Sequence, residues 1–233
     1  MRPETGDLKH RRPIVCLVTA RRRLCPECDD EGARACLAQQ IRQAVTAGID
    51  LVQIRERDLA AAPLVALVAE AVTAARGSVT RIIVNDRLDV ALAAAADGVH
   101  LRGDSMPSAA ARRLAPAGFL IGRSVRRADE AVAAGADVDY VIAGTVFPSA
   151  SKAEATPKLG EAGLAAIARA APVPVLAIGG VTLEVVPRVA AAGAAGFAAI
   201  GAFLGETLPC RSIPLSKIVE EARARFDSVK RAP

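Results

Sequence analysis

Aromatic side chains are scarce in this sequence, and the scarcity argues against one class of function. The 233 residues include no tryptophan, one tyrosine and five phenylalanines, so aromatics make up 3% of the chain. Proteins that bind single-stranded nucleic acid stack bases on aromatic side chains. The net charge of +5 therefore favours small anionic substrates over nucleic acid as partners. Arginine-rich segments near the two ends contribute much of the excess charge, and we expect them to be solvated surface: Arg11–Arg12, Arg21–Arg23 and Arg223–Arg231.

Long hydrophobic runs are also missing. No apolar stretch reaches the ~20 residues that a membrane span needs, and the basic N-terminus lacks the apolar segment of a secretory signal. We therefore expect a soluble cytoplasmic protein with no membrane partner. No Pro/Ser-rich linker divides the chain, so we predict a basic tail over residues 1–12 and one catalytic domain over residues 13–230.

Cysteine occurs five times, and the odd count without a secretory signal argues against a disulfide framework. Cys25 and Cys28 have the spacing of zinc ligands, but no second pair has comparable spacing and only two histidines are present. We expect reduced thiols without a shared function, with a zinc site as the alternative. The sequence does not decide whether Cys25 and Cys28 bind anything.

A strand–helix alternation runs the length of the chain and repeats eight times. Short β-rich runs are predicted at Ile14–Thr19, Ile49–Ile54, Arg81–Val84, Gly98–Leu101, Phe119–Gly122, Tyr140–Ala143, Val173–Ile178 and Gly196–Ile200. Helical spacing is found at Ala33–Ala47, Ala60–Arg76, Leu88–Ala95, Ala109–Leu114, Ala128–Ala134, Gly163–Ala170, Leu183–Ala192 and from Ile213 to about Val229. Strands that alternate with helices pair in parallel, and eight such units close a single (β/α)8 TIM barrel, an α/β fold.

Glycines support this division. Gly48, Gly77, Gly135 and Gly193 each follow a helical segment, where a left-handed cap is predicted. No Gly-x-Gly-x-x-Gly sequence follows the first strand, which disfavours a dinucleotide-binding sheet.

Polar residues cluster directly after the predicted strands, where the active sites of such barrels lie. Gln53, Arg55 and Arg57 alternate at the end of strand two and share one face, while Glu56 points the other way. Guanidinium groups there suit phosphate oxygens, although a surface salt-bridge fringe is the alternative. Asn85 ends strand three, and Ser124 follows strand five.

Two acids follow adjacent strands and are candidate metal ligands. Asp86 comes after strand three and Asp104 after strand four, close enough to bracket one Mg²⁺, which takes one or two carboxylates and leaves other positions to water and phosphate. Asp86 is alternatively an N-cap of the next helix. His100 alone is weak evidence for function, and a hydrogen-bonded histidine near the barrel top is the expected role.

The loops after the last three strands carry groups that suit an anion. Ser149, Ser151 and Lys152 lie in the longest irregular stretch, Val146–Gly160, which is more often functional than idle at such length. Gly179 and Gly180 open the seventh loop and let backbone N–H groups approach a phosphate. Ile200 and Gly201 end the eighth strand.

These segments together resemble the thiamine phosphate synthase superfamily, which also contains the thiazole tautomerases. The resemblance runs from about Ile14 to Phe203, and its most specific parts are Gln53-Ile-Arg-Glu-Arg57, Asn85-Asp86, Asp97-Gly-Val-His-Leu101, Asp139-Tyr-Val141, Phe147-Pro-Ser-Ala-Ser-Lys152 and Ile178-Gly-Gly-Val-Thr182.

The resemblance implies an Mg²⁺-dependent transferase of thiamine biosynthesis that joins hydroxymethylpyrimidine diphosphate to thiazole phosphate and releases pyrophosphate. It implies that Asp86 and an acid after strand four hold Mg²⁺, and that Ser149, Ser151, Gly180 and the strand-eight loop contact the thiazole phosphate. Of the residues it assigns to the pyrimidine diphosphate, Arg55, Arg57, Ser124 and Lys152 are the catalytic candidates; the full set is Gln53, Arg55, Arg57, Asn85, Ser124 and Lys152. No protein nucleophile is needed for this chemistry.

Several positions depart from the synthase pattern. Arg57 stands where the synthases usually have lysine, Ser105 falls on the expected second acid with Asp104 one residue early, and Gly201 replaces a usual serine. Arg126 and Arg127 occupy the place of the histidine that tautomerases use, so the synthase is favoured. A thiazole tautomerase and a non-catalytic phosphate-binding barrel are the alternatives, a nucleic-acid binder comes last, and homo-oligomer formation stays open.

Overall fold

A computed structural model describes residues 13–148, 157–204 and 214–229. Its parallel strands are β1 to β8: Ile14–Val18, Leu51–Ile54, Arg81–Asn85, Gly98–Leu101, Leu120–Val125, Tyr140–Gly144, Val175–Ile178 and Gly196–Ala199. Each strand pairs with the next, and β1 pairs with β8 from Ile14↔Gly196 onward, so the sheet closes into a barrel. The predicted (β/α)8 barrel is therefore confirmed.

The helices of the described ranges pack around the barrel. They are α1 to α9: Arg21–Leu24, Asp30–Thr46, Ala61–Ala74, Leu88–Ala93, Ser108–Leu114, Ala128–Ala134, Gly160–Ala170, Val186–Ala191 and Leu215–Ser228. Short 3₁₀ turns follow α6 at Gly135–Asp137 and β8 at Gly201–Phe203. Within the described residues, no helix combines the length and apolar character that crossing a membrane requires.

Alternation along each strand divides the core into two layers. In β1, Ile14, Cys16 and Val18 face the barrel interior, whereas Val15 and Leu17 pack against the helices. Tyr140, the only tyrosine of the chain, is fully buried in the interior layer. Closure of the barrel depends on Gly196, because a Cβ at this position would overlap the Ile14 carbonyl oxygen.

Element boundaries differ from the sequence prediction in interpretable ways. The fifth strand continues to Val125, which places Arg123 and Ser124 inside the strand rather than after it. The seventh strand begins at Val175 because Pro174 has no N–H to donate to the ladder. The helix α1 was not predicted, since four residues are too few to show a helical period.

The left-handed cap is wrong for one of the four predicted glycines. Gly135 is right-handed, with φ −50°, and a side chain there would overlap Pro172, so close packing rather than a left-handed cap requires this glycine. Gly48, Gly77 and Gly193 do have positive φ, as predicted.

The arginine-rich segments are not simply solvated. Arg21 is 2% exposed, and Arg223 reaches from α9 to the buried carboxylate of Asp50, with Nη2 to Oδ2 at 3.1 Å. Asp50 in turn accepts from the backbone N–H of Val15. These arginines hold the barrel's N-terminal end and its loops together. Residues 1–12 and 230–233 lie outside the described ranges, and the proposed domain limits stay a prediction.

Candidate active site

An open cavity of about 1530 Å³ lies at the carboxyl ends of the strands and continues along the groove between α5 and α6, where Ala109, Glu130 and Ala133 line it. Ten of the residues singled out from the sequence line it: Gln53, Arg55, Arg57, Asn85, Asp104, Ser124, Gly179, Gly180, Ile200 and Gly201. Asp86 lines an adjoining cavity of about 220 Å³, which shares Arg57, Asn85 and Arg102 with the first. Ser149, Ser151 and Lys152 lie outside the described residues.

Arg55 and Arg57 follow β2 and face the cavity together. Across residues 13–148, 157–204 and 214–229, neither guanidinium has a carboxylate within ion-pair distance. Burial lowers the pKa of Arg55, and the Arg57 charge lowers it further. A guanidinium stays protonated at neutral pH nonetheless. A bound anion would stabilise this half-buried positive charge. Among the described residues, Arg55 and Arg57 do not form the surface salt bridges that were the alternative interpretation.

A buried hydrogen-bond network anchors the loop that carries these arginines, on the side away from the cavity. Glu56 points away from the cavity and accepts from the Thr19 hydroxyl at 2.6 Å and from Arg21 Nη1 at 3.0 Å. Arg21 also donates two 2.6 Å bonds to Asp58, which with Glu56 raises the pKa of Arg21. Thr19 Oγ1 accepts from the backbone N–H of Arg55 at 2.9 Å. The loops after β1 and β2 are thereby locked to each other.

Gln53 and Asn85 form a polar pair on neighbouring strands. Gln53 is 3% exposed and its Nε2 donates to Asn85 Oδ1 at 3.0 Å. Gln53 Oε1 is buried and has no hydrogen-bond partner among the described residues. An acceptor left open in this way at the cavity floor suits a donor group of a ligand.

His100 positions Ser124 through a hydrogen bond. His100 Nε2 lies 2.9 Å from Ser124 Oγ, and its ring stacks on Tyr140 with centroids 5.7 Å apart. Gly122 makes room for both rings, because a side chain at 122 would overlap them. Burial lowers the pKa of His100 to about 3, so the ring is neutral at physiological pH. The predicted hydrogen-bonded role is met at Nε2, while Nδ1 and the Tyr140 hydroxyl have no partner among the described residues.

Asp86 and Asp104 converge on one cation, and that cation is Arg102. Arg102 Nε donates to Asp104 Oδ1 at 2.9 Å, and a second bond joins Nη2 to Asp104 Oδ2. Nη1 lies 3.5 Å from Asp86 Oδ2. Hydrogen bonding to Arg102 lowers the pKa of Asp104.

This geometry is the test of whether the two acids fit a metal ion. Carboxylate oxygens from adjacent loops that approach the same cationic side chain are a donor set of the kind that Mg²⁺ prefers. Asp86 has φ 62°, an uncommon backbone conformation for a non-glycine residue that is often seen at functional sites. Its alternative role as an N-cap is wrong, because α4 is preceded by Arg87 and has no side-chain cap.

Gly179 and Gly180 fix the loops after β6 and β7 against each other. Both have positive φ, at 97° and 64°, and a side chain at 180 would overlap the Pro148 carbonyl oxygen. Phe147 N–H donates to the Gly179 carbonyl at 3.0 Å, and Arg188 lies over the Phe147 ring, 4.9 Å from its centroid. The glycines thus position the start of the loop that carries Ser149, Ser151 and Lys152.

Residues Ile200 and Gly201 close the cavity on the β8 side. A side chain added at Gly201 would enter open space, so nothing in the packing requires glycine here. Serine would therefore fit at this position, and glycine differs from the usual serine in lacking a hydroxyl group.

Sequence reasoning did not identify three residues that shape the site. Arg102 directly follows β4, and the available signal was its place in the sequence between the two candidate metal ligands, Asp86 and Asp104. Arg123 donates to the carbonyl oxygens of Met106 and Gly103, both at 2.9 Å, and so holds the loop that carries Asp104. Tyr140 carried the weakest signal, since a buried tyrosine in a strand looks like ordinary core.

The fold and site together define a class: a (β/α)8 barrel whose strand ends present, among the described residues, two arginines without carboxylate partners beside a pair of acids, an arrangement suited to an anionic ligand. Comparison with known proteins narrows this class. Residues 24–203 match the family model described as thiamine monophosphate synthase, and the chain belongs to this family.

Relatives and solved structures agree with that assignment. The chain is 45% identical over 168 residues to a thiamine-phosphate synthase of Methanoculleus marisnigri, covering 71% of this chain and 79% of the relative. It is 37% identical over 218 residues to one of Roseiflexus sp., covering 91% and 89%. The structure of a thiamine phosphate pyrophosphorylase from Pyrococcus furiosus superimposes with a TM-score of 0.75 at 30% identity, covering 93% of this chain and 96% of that one.

Proposed function

We propose that this protein is a thiamine-phosphate synthase, a transferase that joins hydroxymethylpyrimidine diphosphate to thiazole phosphate and releases pyrophosphate. The observation that carries the proposal is the pair Arg55 and Arg57, which are cationic, have no carboxylate partners among the described residues, and face the cavity at the strand ends. The relatives that bear this enzyme's name are similar over most of the chain.

Charge stabilisation is the main contribution of the protein in this scheme. The bond from the pyrimidine methylene carbon to the diphosphate oxygen breaks, and the thiazole nitrogen forms a bond to that carbon. Arg55 and Arg57 bind the diphosphate and stabilise the negative charge that collects on it as it leaves. The network of Thr19, Arg21 and Glu56 anchors the backbone that carries the two arginines before substrate arrives, so the loop needs little reorganisation during the reaction.

The pyrimidine ring lies between the polar pair and Ser124 in this proposal. Gln53 Oε1 accepts from a donor on the ring, and Ser124 Oγ, held by neutral His100, contacts the opposite edge. These contacts orient the methylene carbon toward the thiazole. Gly180, Ile200 and Gly201, with Ser149 and Ser151, border the thiazole phosphate, and Lys152 assists at the diphosphate.

Asp86 and Asp104 would hold Mg²⁺, which when bound neutralises diphosphate charge and favours its departure. The support is their convergence on Arg102, a single cation in the described structure. Arg102 would have to leave the two acids for the ion to bind.

The test is release of pyrophosphate by the purified protein when both substrates and Mg²⁺ are supplied. Omitting either substrate should abolish release, and Arg55→Met should reduce it strongly, because methionine keeps the apolar stem and loses the charge. Arg34→Met is the matched control, since Arg34 is a half-exposed α2 residue paired with Glu70 outside the cavity. No release with a folded protein would refute the proposal. Isomerisation of a thiazole carboxylate phosphate without metal would instead identify a tautomerase.

A further inference from the structure

Three cysteine sulfurs meet beside the loop that follows β1. Cys25 and Cys28 lie between α1 and α2, and Cys36 lies within α2. The Sγ atoms of Cys25, Cys28 and Cys36 all lie within 4.8 Å of one another. Cys25 and Cys28 are joined as a disulfide, with Cα atoms 5.4 Å apart. The expectation of unrelated reduced thiols is therefore wrong.

The local packing is arranged around these sulfurs. Cys25 is 1% exposed, and Cys28 N–H donates to the Cys25 carbonyl at 3.3 Å, which forms a tight turn between them. Position 32 in the first turn of α2 is glycine, where even a Cβ would stand 3.2 Å from Cys28 Cβ and 3.4 Å from its sulfur. A larger residue there would push the turn away from the helix.

Stabilisation by the disulfide is a weak explanation for the cluster. A cross-link between residues three apart closes a very short loop, and the entropy removed from the unfolded chain grows with loop length. The disulfide also does not account for the third sulfur of the cluster, that of Cys36, within 4.8 Å of the other two. A function that uses all three sulfurs accounts for the arrangement better.

We propose that the reduced protein binds a thiophilic divalent ion of the zinc class through Cys25, Cys28 and Cys36. Zinc–sulfur bonds of about 2.3 Å bring neighbouring thiolates to about 4 Å from one another. Cys36 Sγ already lies within 4.8 Å of the other two sulfurs, and reduction of the disulfide lets Cys25 and Cys28 separate to the same spacing. The pair with two intervening residues is a common zinc-ligand spacing, and three protein ligands leave the fourth position to water or a small ligand.

The surroundings favour thiolates. Cys28 directly precedes Asp29, the N-cap of α2, so its sulfur lies near the positive end of a 17-residue helix. Three arginines precede it in α1. Two carboxylates at the start of α2 are engaged elsewhere, since Asp29 accepts from Gly32 N–H at 2.8 Å and Asp30 pairs with Arg22.

Oxidation and metal binding exclude each other at this site. A dithiol reductant supplies two electrons and two protons, which convert the Cys25–Cys28 disulfide to two thiols while the reductant becomes a disulfide. The ion then binds three thiolates as three protons leave. Arg23 lines the active-site cavity two residues before Cys25, so a bound ion stabilises one wall of that cavity without entering it.

The experiment is titration of the reduced, full-length protein with Cd²⁺, followed by the ultraviolet charge-transfer absorption of cadmium thiolates. We expect one equivalent to bind, Zn²⁺ to displace it, and Zn²⁺ to raise the melting temperature. Cys36→Ser should weaken Cd²⁺ binding by more than the about 10–100-fold that loss of an outer-sphere partner costs, while leaving the Cys25–Cys28 disulfide able to form.

Control variants separate this site from other thiols. Cys16→Ala removes a buried thiol of the barrel interior, and Cys210→Ser removes one outside the described residues; both should leave the absorption and its stoichiometry unchanged. Absence of a charge-transfer band in the reduced wild type would overturn the proposal. So would full Cd²⁺ binding by Cys36→Ser, or loss of binding in either control.

Discussion

Replacing Glu56 with alanine tests whether the network behind the arginines is structural. Glu56 is 5% exposed, its partner Arg21 is 2% exposed, and Nη1 to Oε2 measures 3.0 Å. Removing one member of a buried ion pair typically costs 3–5 kcal/mol. Asp58 still neutralises Arg21 through two 2.6 Å bonds, so we expect a loss at the lower end, about 3 kcal/mol. Glu56→Gln should cost less, because the amide oxygen still accepts from Thr19.

Urea unfolding at pH 7 measures this loss, with circular dichroism as the signal because the chain has no tryptophan. Glu161→Ala is the matched control: it breaks the pair with Arg188, whose side chains are 45% and 54% exposed, and exposed pairs contribute at most about 1 kcal/mol. A Glu56→Ala protein no less stable than Glu161→Ala would refute the reasoning.

Three further changes test other parts of the site. The pKa of His100 is about 3 in the folded protein and about 6.5 in the unfolded chain, so acid favours the unfolded state. Between pH 7 and pH 5 the free energy of unfolding should therefore fall by up to about 2 kcal/mol more in the wild type than in His100→Gln. Equal falls in the two proteins would contradict the assignment. Arg102→Gln should lower the Mg²⁺ concentration needed for half-maximal turnover, because Asp86 and Asp104 lose a competing cation; an unchanged requirement would show that Arg102 does not compete. Gly201→Ser, for which the structure has open space, should lower the KM for thiazole phosphate with little change in that for the diphosphate, and a rise in KM would place the phosphate elsewhere.

The fold was readable from the sequence because the signal was repeated and local. Eight apolar runs alternate with helical segments, and the errors concerned boundaries, single residues and the four-residue helix α1. Gly135 illustrates the limit: its position after a helix predicted a left-handed cap, but the residue that decides its conformation is Pro172, which is distant in the chain. Arg21 is similar, since burial of an arginine depends on Glu56 and Asp58 from the next loop.

Many residues of the site could be predicted from the sequence, but the contacts between them could not. Strand ends identified Gln53, Arg55 and Arg57, because alternation fixes which side chains share a face. That Arg102 stands between Asp86 and Asp104, or that His100 supports Ser124, depends on side-chain directions across neighbouring strands. The cysteine cluster was left undecided for the same reason: spacing alone does not show that the Cys36 sulfur lies within 4.8 Å of those of Cys25 and Cys28.

The central claim is that one cavity joins two phosphorylated compounds with loss of pyrophosphate. Its most direct test is to quantify both products, thiamine phosphate and pyrophosphate, from the same reaction of the purified protein with both substrates and Mg²⁺. The account predicts equal amounts of the two products, and neither product when Asp86→Ala replaces the wild type with its fold intact. Pyrophosphate without thiamine phosphate, or full activity of Asp86→Ala, would contradict it.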